Sequence, residues 1–316
     1  MKNDGLVPDL AHAPLPARKP SWLRMKRQGG TDYNDVKRLL RTSSLNTVCE
    51  TANCPNRGEC FNSRTATFLL LGDICTRHCT FCNIPGGRVA PIDPDEPQRV
   101  AEAVRELGLK FAVVTSVNRD DLPDGGAAHF ASTIMQIRRL NPDCGVEVLI
   151  PDFLGDSVAL ETVLTAAPEV LNHNLETVPR LYRAMRPQAD YRRSLQVLRR
   201  SRRWADASGA DIRVKTGIMV GVGETRDEIV DLMKDAADQG IRIMTIGQYL
   251  QPSLRHHPVL RYVEPAEFDE LADIGRGLGI DWVESGPMVR SSYHAREQSD
   301  SLGVGSQSPP IRGADG

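Results

Sequence analysis

The sequence predicts an α/β protein: a partial (β/α)6 TIM-like barrel of parallel strands with N- and C-terminal extensions. Three observations lead there. Apolar runs rich in β-formers recur six times, each followed by a segment with helical periodicity, and six strand–helix units in series imply a parallel sheet with crossover helices. No Gly/Ser- or Pro-rich linker interrupts the middle of the 316 residues, so one barrel-sized domain fits better than two. A cysteine triplet follows the first strand at once, and in such barrels the loops after the strand C-termini carry the chemistry.

Taken in order, the first strand is read over 66–71 and ends at Gly72. A helix over 96–107 follows, with Val100, Ala103, Val104 and Leu107 on one face, then a strand over 111–116. The alternation continues with a helix over 129–140, a strand over 146–150, a helix over 157–166, a strand over 169–173 and a long helix over 191–207. It closes with a strand over 212–219, a helix over 226–239, a strand over 242–248 and a helix over 265–278. Around this core the chain divides into an N-terminal extension (1–45, partly mobile), a segment carrying a first cysteine triplet (46–64), the barrel (65–284), a C-terminal motif (285–296) and a tail (297–316). Residues 1–20 and 297–316 are rich in Pro, Gly, Ser and charge and are expected to be mobile.

Hydrophobic residues make up 40% and charged residues 25% of the chain, with a formal net charge of -2, an ordinary soluble composition. The near-neutral charge argues against a dedicated nucleic-acid binder, and no apolar run is long enough to span a bilayer. The first thirty residues contain no apolar signal core. A cytoplasmic protein without a nucleic-acid or membrane partner is expected.

Six of the seven cysteines form two triplets, Cys49-x4-Cys54-x5-Cys60 and Cys75-x3-Cys79-x2-Cys82. Each supplies three thiolates where a four-iron cube needs four ligands, and a cubane with an open iron can hold a substrate or cofactor directly. Disulfides would need an oxidising compartment, and a chain of this length needs no staples. Zinc is the stronger alternative, although structural zinc favours paired C-x2-C knuckles and only Cys79-x2-Cys82 has that spacing. Cys144 has no cysteine neighbour and reads as a small structural residue.

The run Cys75-Thr76-Arg77-His78-Cys79-Thr80-Phe81-Cys82, with an aromatic before its third cysteine, resembles the signature of radical S-adenosylmethionine enzymes. Within that superfamily the chain resembles the lipoyl synthase family over nearly its whole length. The matching segments are 49–56 running to Cys60, then 115–122 (TSVNRDDL), 173–178 (HNLETV), 217–225 (GIMVGVGET), 247–252 (GQYLQP) and 290–295 (RSSYHA). Phe61, where the family usually has tryptophan, and Thr80, where proline is common, depart from the pattern at no proposed ligand.

The resemblance implies two 4Fe-4S clusters and S-adenosyl-L-methionine. The cluster on Cys75, Cys79 and Cys82 would chelate S-adenosylmethionine, whose reductive cleavage gives a 5'-deoxyadenosyl radical able to take hydrogen from an unactivated C–H bond. Thr115, Ser116 and Asn118 are assigned to the methionine end, Glu176 to the ribose hydroxyls, and Gly217, Gly221 and Gly223 to close approach of backbone to the adenine. The competing reading of these glycines is an ordinary strand-to-helix turn, with Glu224 and Thr225 starting the helix. The second cluster, on Cys49, Cys54 and Cys60, is implied to be the sulfur source, with Ser292 as its fourth ligand, so Arg290 and Ser292 are the catalytic candidates. Alkoxide is a harder ligand than thiolate and releases its iron more readily. Tyr293 and His294 are read as structural.

The implied activity is that of a sulfurtransferase inserting sulfur at C6 and C8 of an octanoyl group. The substrate group would be carried on a lipoyl domain, in the E2 subunits of 2-oxoacid dehydrogenases or the glycine cleavage H protein. An electron donor such as ferredoxin or flavodoxin and a cluster-repair protein are the other implied partners. Arg192, Arg193, Arg199, Arg200, Arg202 and Arg203 crowd one helix and could steer an acidic carrier, against the alternative of a solvated face. Other radical sulfur inserters, such as a biotin synthase or a tRNA methylthiotransferase, are the nearest enzyme alternatives, and the latter would need a basic RNA-binding appendage. A zinc- or cluster-stabilised binding module is the non-catalytic one.

Overall fold

The computed structural model describes residues 18–23, 29–292 and 295. The chain enters through helix α1 (Thr31–Thr42) and a two-residue strand β1 (Asn46–Thr47), then the short helices α2 (Val48–Thr51) and α3 (Arg57–Asn62) that carry the first cysteine triplet. The six strand–helix units follow in the expected order: β2 (Thr67–Leu70) with α4 (Glu96–Leu107), β3 (Phe111–Ser116) with α5 (Ala127–Leu140), and β4 (Gly145–Leu149) with α6 (Ser157–Thr165). Then come β5 (Val170–Asn172), a short helix α7 (Tyr182–Met185) and α8 (Tyr191–Ser208), β6 (Arg213–Val220) with α9 (Arg226–Asp238), and β7 (Ile243–Gln248) with α10 (Pro265–Gly277).

These strands form one sheet in sequential order, parallel from β2 onward, with β1 antiparallel at one edge. Beyond the six units the sheet gains a seventh parallel strand, β8 (Trp282–Gly286), paired with β7 from Ile243↔Trp282 to Gly247↔Gly286. Its two apolar residues, Trp282 and Val283, are too few for a periodic signal, and its half-buried pattern is that of an edge. The first and last strands of the order do not pair, so the barrel is partial.

The strands pack outward onto the helices. Val146 and Val148 of β4 join Val114, Val100 and Ile134 in one apolar core, and Met244 and Ile246 of β7 join Leu232 and Phe268 in the other. The alternate residues face inward. There Lys215 of β6 and Glu147 of β4, 0% and 1% exposed, form an ion pair with both carboxylate oxygens at 3.0 and 3.1 Å, and Asn172 of β5 donates to Glu147 as well. Ala295, from the C-terminal segment, packs at the N-terminal ends of the strands against Phe111, Val113 and Val170. Tyr293 and His294, and the tail residues 297–316, lie outside the described residues, as do residues 1–17.

Candidate active site

One cavity of about 530 Å³ occupies the barrel interior and is lined by Cys49, Cys54 and Cys60, by Cys75, Cys79 and Cys82, and by Arg290, Ser291 and Ser292. All six thiols are free.

The first triplet hangs on short elements fixed by side-chain hydrogen bonds. The Thr47 hydroxyl caps α2 by accepting from the Cys49 N–H at 3.2 Å, while donating to the Thr67 carbonyl at 2.8 Å. Asn56 donates to the Met288 carbonyl at 2.7 Å, and Thr67 Oγ1 donates to Ser292 Oγ at 2.9 Å, so the C-terminal motif is tied to the triplet's loop and to the start of β2. Gly247 permits this approach: a Cβ there would meet the Val289 carbonyl oxygen at 2.2 Å. Burial, with Cys49 and Cys54 close by, pushes the Cys60 thiol up to about 12. Burial and Cys49 also push Cys54 up, against the Arg290 guanidinium, whose own value burial lowers.

The second triplet lies in the loop after β2. Leu71 (φ 67°) and Gly72 (φ 96°) turn the chain out of the strand. Cys75 Sγ accepts the backbone N–H of Arg77 at 3.4 Å and of Asn118 at 3.3 Å. Backbone bonds from Thr80 to Met185 and from His257 to Thr80 hold the loop's far side, and Asn83 reaches the Thr51 carbonyl, joining the two triplets' loops. Burial, opposed by the Ile84 N–H and reinforced by Cys79 and Cys75, raises Cys82 to about 12, and burial raises Cys79.

The donor set fits iron–sulfur clusters. Half-buried thiols raised as far as Cys60 and Cys82 lose their protons only to a strongly cationic centre, and N–H donors to sulfur are the tuning contacts such clusters use. Among the described residues no three or more His, Cys, Asp or Glu converge to hold a single metal ion. A polynuclear cluster, whose ligands sit on separate irons, makes no such demand.

Between the triplets the wall offers Ser116 Oγ, Asn118 Oδ1, Asn174 Oδ1, His173 Nε2 and Arg186 Nε, all buried without a partner among the described residues. Four of these five can accept a hydrogen bond, which suits a donor-rich cation such as S-adenosylmethionine. His173 Nδ1 lies 2.9 Å from the Ile150 carbonyl, which can only accept, so Nδ1 carries the proton and Nε2 presents a lone pair. Burial, with Arg186 nearby, holds the ring down at about 4, hence neutral. Glu176 has φ 67°, a strained conformation, and its carboxylate accepts from Asn174 at 3.2 Å. Burial pushes Glu176 up and Arg186 opposes it. Arg186 donates to the Asn174 carbonyl and to the Tyr182 hydroxyl.

Thr115, Ser116, Asn118, Glu176 and Gly217 therefore lie on the cavity wall, though Thr115 spends its hydroxyl proton on the Leu149 carbonyl at 2.9 Å. Gly221 and Gly223, expected to let backbone approach the adenine, do not line the cavity. A Cβ on Gly221 would meet Gln248 and the Arg261 carbonyl at 2.3 and 2.4 Å, and one on Gly223 would meet Leu260 at 2.8 Å. Both serve the strand-to-helix turn, where the Glu224 carboxylate accepts from Gly221 and Val222 and Thr225 caps α9 in a capping box with Glu228. At Gly217 a Cβ would meet Thr245 Oγ1 at 2.4 Å and Asn174 Oδ1 at 2.9 Å. Sequence reasoning missed His173, Asn174 and Arg186 as site residues. The first two stand within a quoted motif, but Arg186 carried no signal.

Of the α8 arginines, Arg193 pairs with Asp152, Arg200 with the Gly155 carbonyl and Arg202 with Asp206. Arg192, Arg199 and Arg203 are exposed. No helix among the described residues is long and apolar enough to cross a membrane.

Residues 69–236 match the family model of the radical SAM superfamily. The chain is 55% identical over 300 residues to a lipoyl synthase of Koribacter versatilis, covering 94% of this chain and 97% of that protein. It is 55% identical to a lipoyl synthase of Roseiflexus sp. over 92% and 96%, and 51% identical to one of Methylococcus capsulatus over 94% and 91%. Among solved structures, the [FeFe]-hydrogenase maturase HydG superposes with a TM-score of 0.55 at 16% identity, covering 87% of this chain and 68% of that one. Streptococcus suis SuiB bound to S-adenosylmethionine gives 0.51 at 12%, over 76% and 56%. These likenesses show the shared fold.

Proposed function

The chain belongs to the lipoyl synthase family of the radical SAM superfamily, and on that premise we propose that it is a cytoplasmic sulfurtransferase. It would place two sulfur atoms, at C6 and C8, on a carrier-bound octanoyl group to form the lipoyl group. The observation that carries this reading is the single cavity walled by both cysteine triplets and by Ser292. Cys75, Cys79 and Cys82 would hold one 4Fe-4S cluster, and Cys49, Cys54, Cys60 and Ser292 a second. With S-adenosylmethionine bound, the first would supply the chemistry for hydrogen abstraction from an unactivated C–H bond, and the second would supply sulfur.

The chain's own residues position and shield. Ser116, Asn118, Asn174 and the His173 lone pair would accept from a donor-rich cofactor, while Glu176 would offer a half-buried carboxylate. Leu69, Val113, Leu149, Ile218 and Met219 give the same cavity an apolar wall suited to an alkyl chain. Water is thereby kept from the reacting carbons.

Octanoylated lipoyl domains of E2 subunits and the glycine cleavage H protein are the proposed carriers, with ferredoxin or flavodoxin as electron donor and a separate protein restoring the second cluster. Arg193 and Arg200 anchor α8 to the loop after β4, at the strand C-termini where Cys75, Cys79 and Cys82 lie, which supports Arg192, Arg199 and Arg203 as the face that an acidic carrier meets. Anaerobic iron and sulfide counting should find about eight irons per chain. The loaded protein should convert an octanoyl-lysine peptide to its lipoyl form with S-adenosylmethionine and reductant. Zinc, about four irons, or cofactor cleavage without thiolated product would overturn the reading.

A further inference from the structure

We infer that Asp152 is the positioning residue for the cysteine loop of 75–82: through Arg77 it holds that loop in the conformation that turns its three thiols to the cavity, and through Arg193 it fastens the loop to α8. Asp152 follows β4 in the chain and is 0% exposed. One carboxylate oxygen accepts Arg77 Nη2 at 2.7 Å and the Leu154 N–H at 3.1 Å, and the other accepts Arg193 Nε at 2.8 Å. Arg77 sits between Cys75 and Cys79, and its side chain is 2% exposed. Asp120, after β3, takes its remaining contacts at 2.6 and 2.8 Å.

On the loop's inner side the other anchors are neutral: Thr76 donates to the Asn118 carbonyl and accepts from the Asp120 N–H, and Cys75 Sγ accepts from the Asn118 N–H. The outer side is held by neutral bonds, Thr80 to Met185 and His78 to the exposed Gln188, so the charged contacts are those at Arg77. Charge-assisted bonds in a dry interior are stronger than neutral ones, and a guanidinium with a planar fork fixes direction as well as distance. Asp152 also secures the turn beneath. Phe153, Leu154 and Gly155 have φ 45°, 52° and 85°, three successive left-handed residues that persist only where the surroundings over-determine them. The Asp152 carboxylate and carbonyl accept from Leu154 and Gly155, and Arg200 donates to the Gly155 carbonyl. Three segments, the 75–82 loop, the turn after β4 and α8, therefore meet on one carboxylate.

The inference rests on the reading that Cys75, Cys79 and Cys82 hold a cluster. Cluster loading of the unmutated chain tests that reading, whereas selectivity between the triplets in variants tests this one, so the two can fail separately. In full-length, cluster-loaded protein under an iron chelator, alkylation of each cysteine is followed by mass spectrometry. Asp152→Asn should expose Cys75, Cys79 and Cys82 roughly tenfold faster than in the parent, the loss of one charge-assisted bond, while Cys49, Cys54 and Cys60 stay within about twofold. Arg193→Ala, a milder change on a partly exposed side chain, should act in the same direction by about threefold. Arg77→Gln should reproduce the selective loss, and adding Asp152→Asn should not deepen it, because both remove the same hold. Equal acceleration of both triplets, an additive double variant, or an unchanged Arg193→Ala would each overturn the assignment.

Discussion

Thr67 donates its hydroxyl to Ser292 across 2.9 Å, although 225 residues separate them. The contact brings the last motif of the chain to the first parallel strand, on the wall where Cys49, Cys54 and Cys60 stand. The neighbouring Ser291 is tied elsewhere, accepting from Asn174 at 2.8 Å. The two serines thus serve opposite sides of the cavity.

On the proposed assignment, Ser292→Cys would replace a hard alkoxide ligand with a soft thiolate that should hold its iron. The variant is expected to keep its iron and still cleave S-adenosylmethionine, but to lose most sulfur insertion, by about tenfold or more. Ser291→Ala should be milder. Product assays beside iron counts check this, and a parental rate for Ser292→Cys would end the ligand assignment.

The two triplets should separate by function. Cys79→Ala is expected to abolish S-adenosylmethionine cleavage, whereas Cys54→Ala should still yield 5'-deoxyadenosine without thiolated product. Chromatography of both products decides it, and equal loss of cleavage would refute the division.

Reversing Arg199, Arg200 and Arg203 to Glu should weaken turnover of a carrier-bound octanoyl group by about tenfold or more at low salt, and of a short octanoyl-lysine peptide much less. Arg200 also holds the Gly155 carbonyl, so Arg199→Glu with Arg203→Glu is the cleaner pair. Equal response of both substrates would make α8 a solvated face.

His173 gives the pH dependence. Its folded value is lowered from 6.5 to about 4 by burial, so between these values the unfolded chain binds a proton that the folded chain does not. Stability should therefore fall as pH drops from 6.5 towards 4, by about 3 kcal/mol from this group alone. His173→Gln should flatten that part of the profile in urea titrations. An unchanged slope would show that the ring is not held neutral.

Lys215→Met strands the Glu147 carboxylate in the barrel with only Asn172 beside it and should cost about 3–5 kcal/mol. Adding Glu147→Gln should recover much of the loss, since the remaining group is then uncharged. Chemical denaturation of the two variants measures the difference.

The sequence by itself determined the six strand–helix units, because apolar periodicity is a local property that each segment carries alone. It also determined that six thiols fall into two triplets, since spacing needs no fold, and the quoted motifs carried the family. It did not reveal β8, whose two apolar residues make a strand only by pairing with β7. Nor did it show that Gly221 and Gly223 make room for Gln248, Arg261 and Leu260, or that three of six α8 arginines already have partners. Arg186, the lone pair of His173 and the three-way meeting at Asp152 were invisible for one reason. The register of the parallel sheet decides which strand ends become neighbours, so contacts between residues 43 or 225 apart exist only once the barrel has curled. Tertiary structure thus decided the partners of side chains whose chemistry the sequence had already supplied.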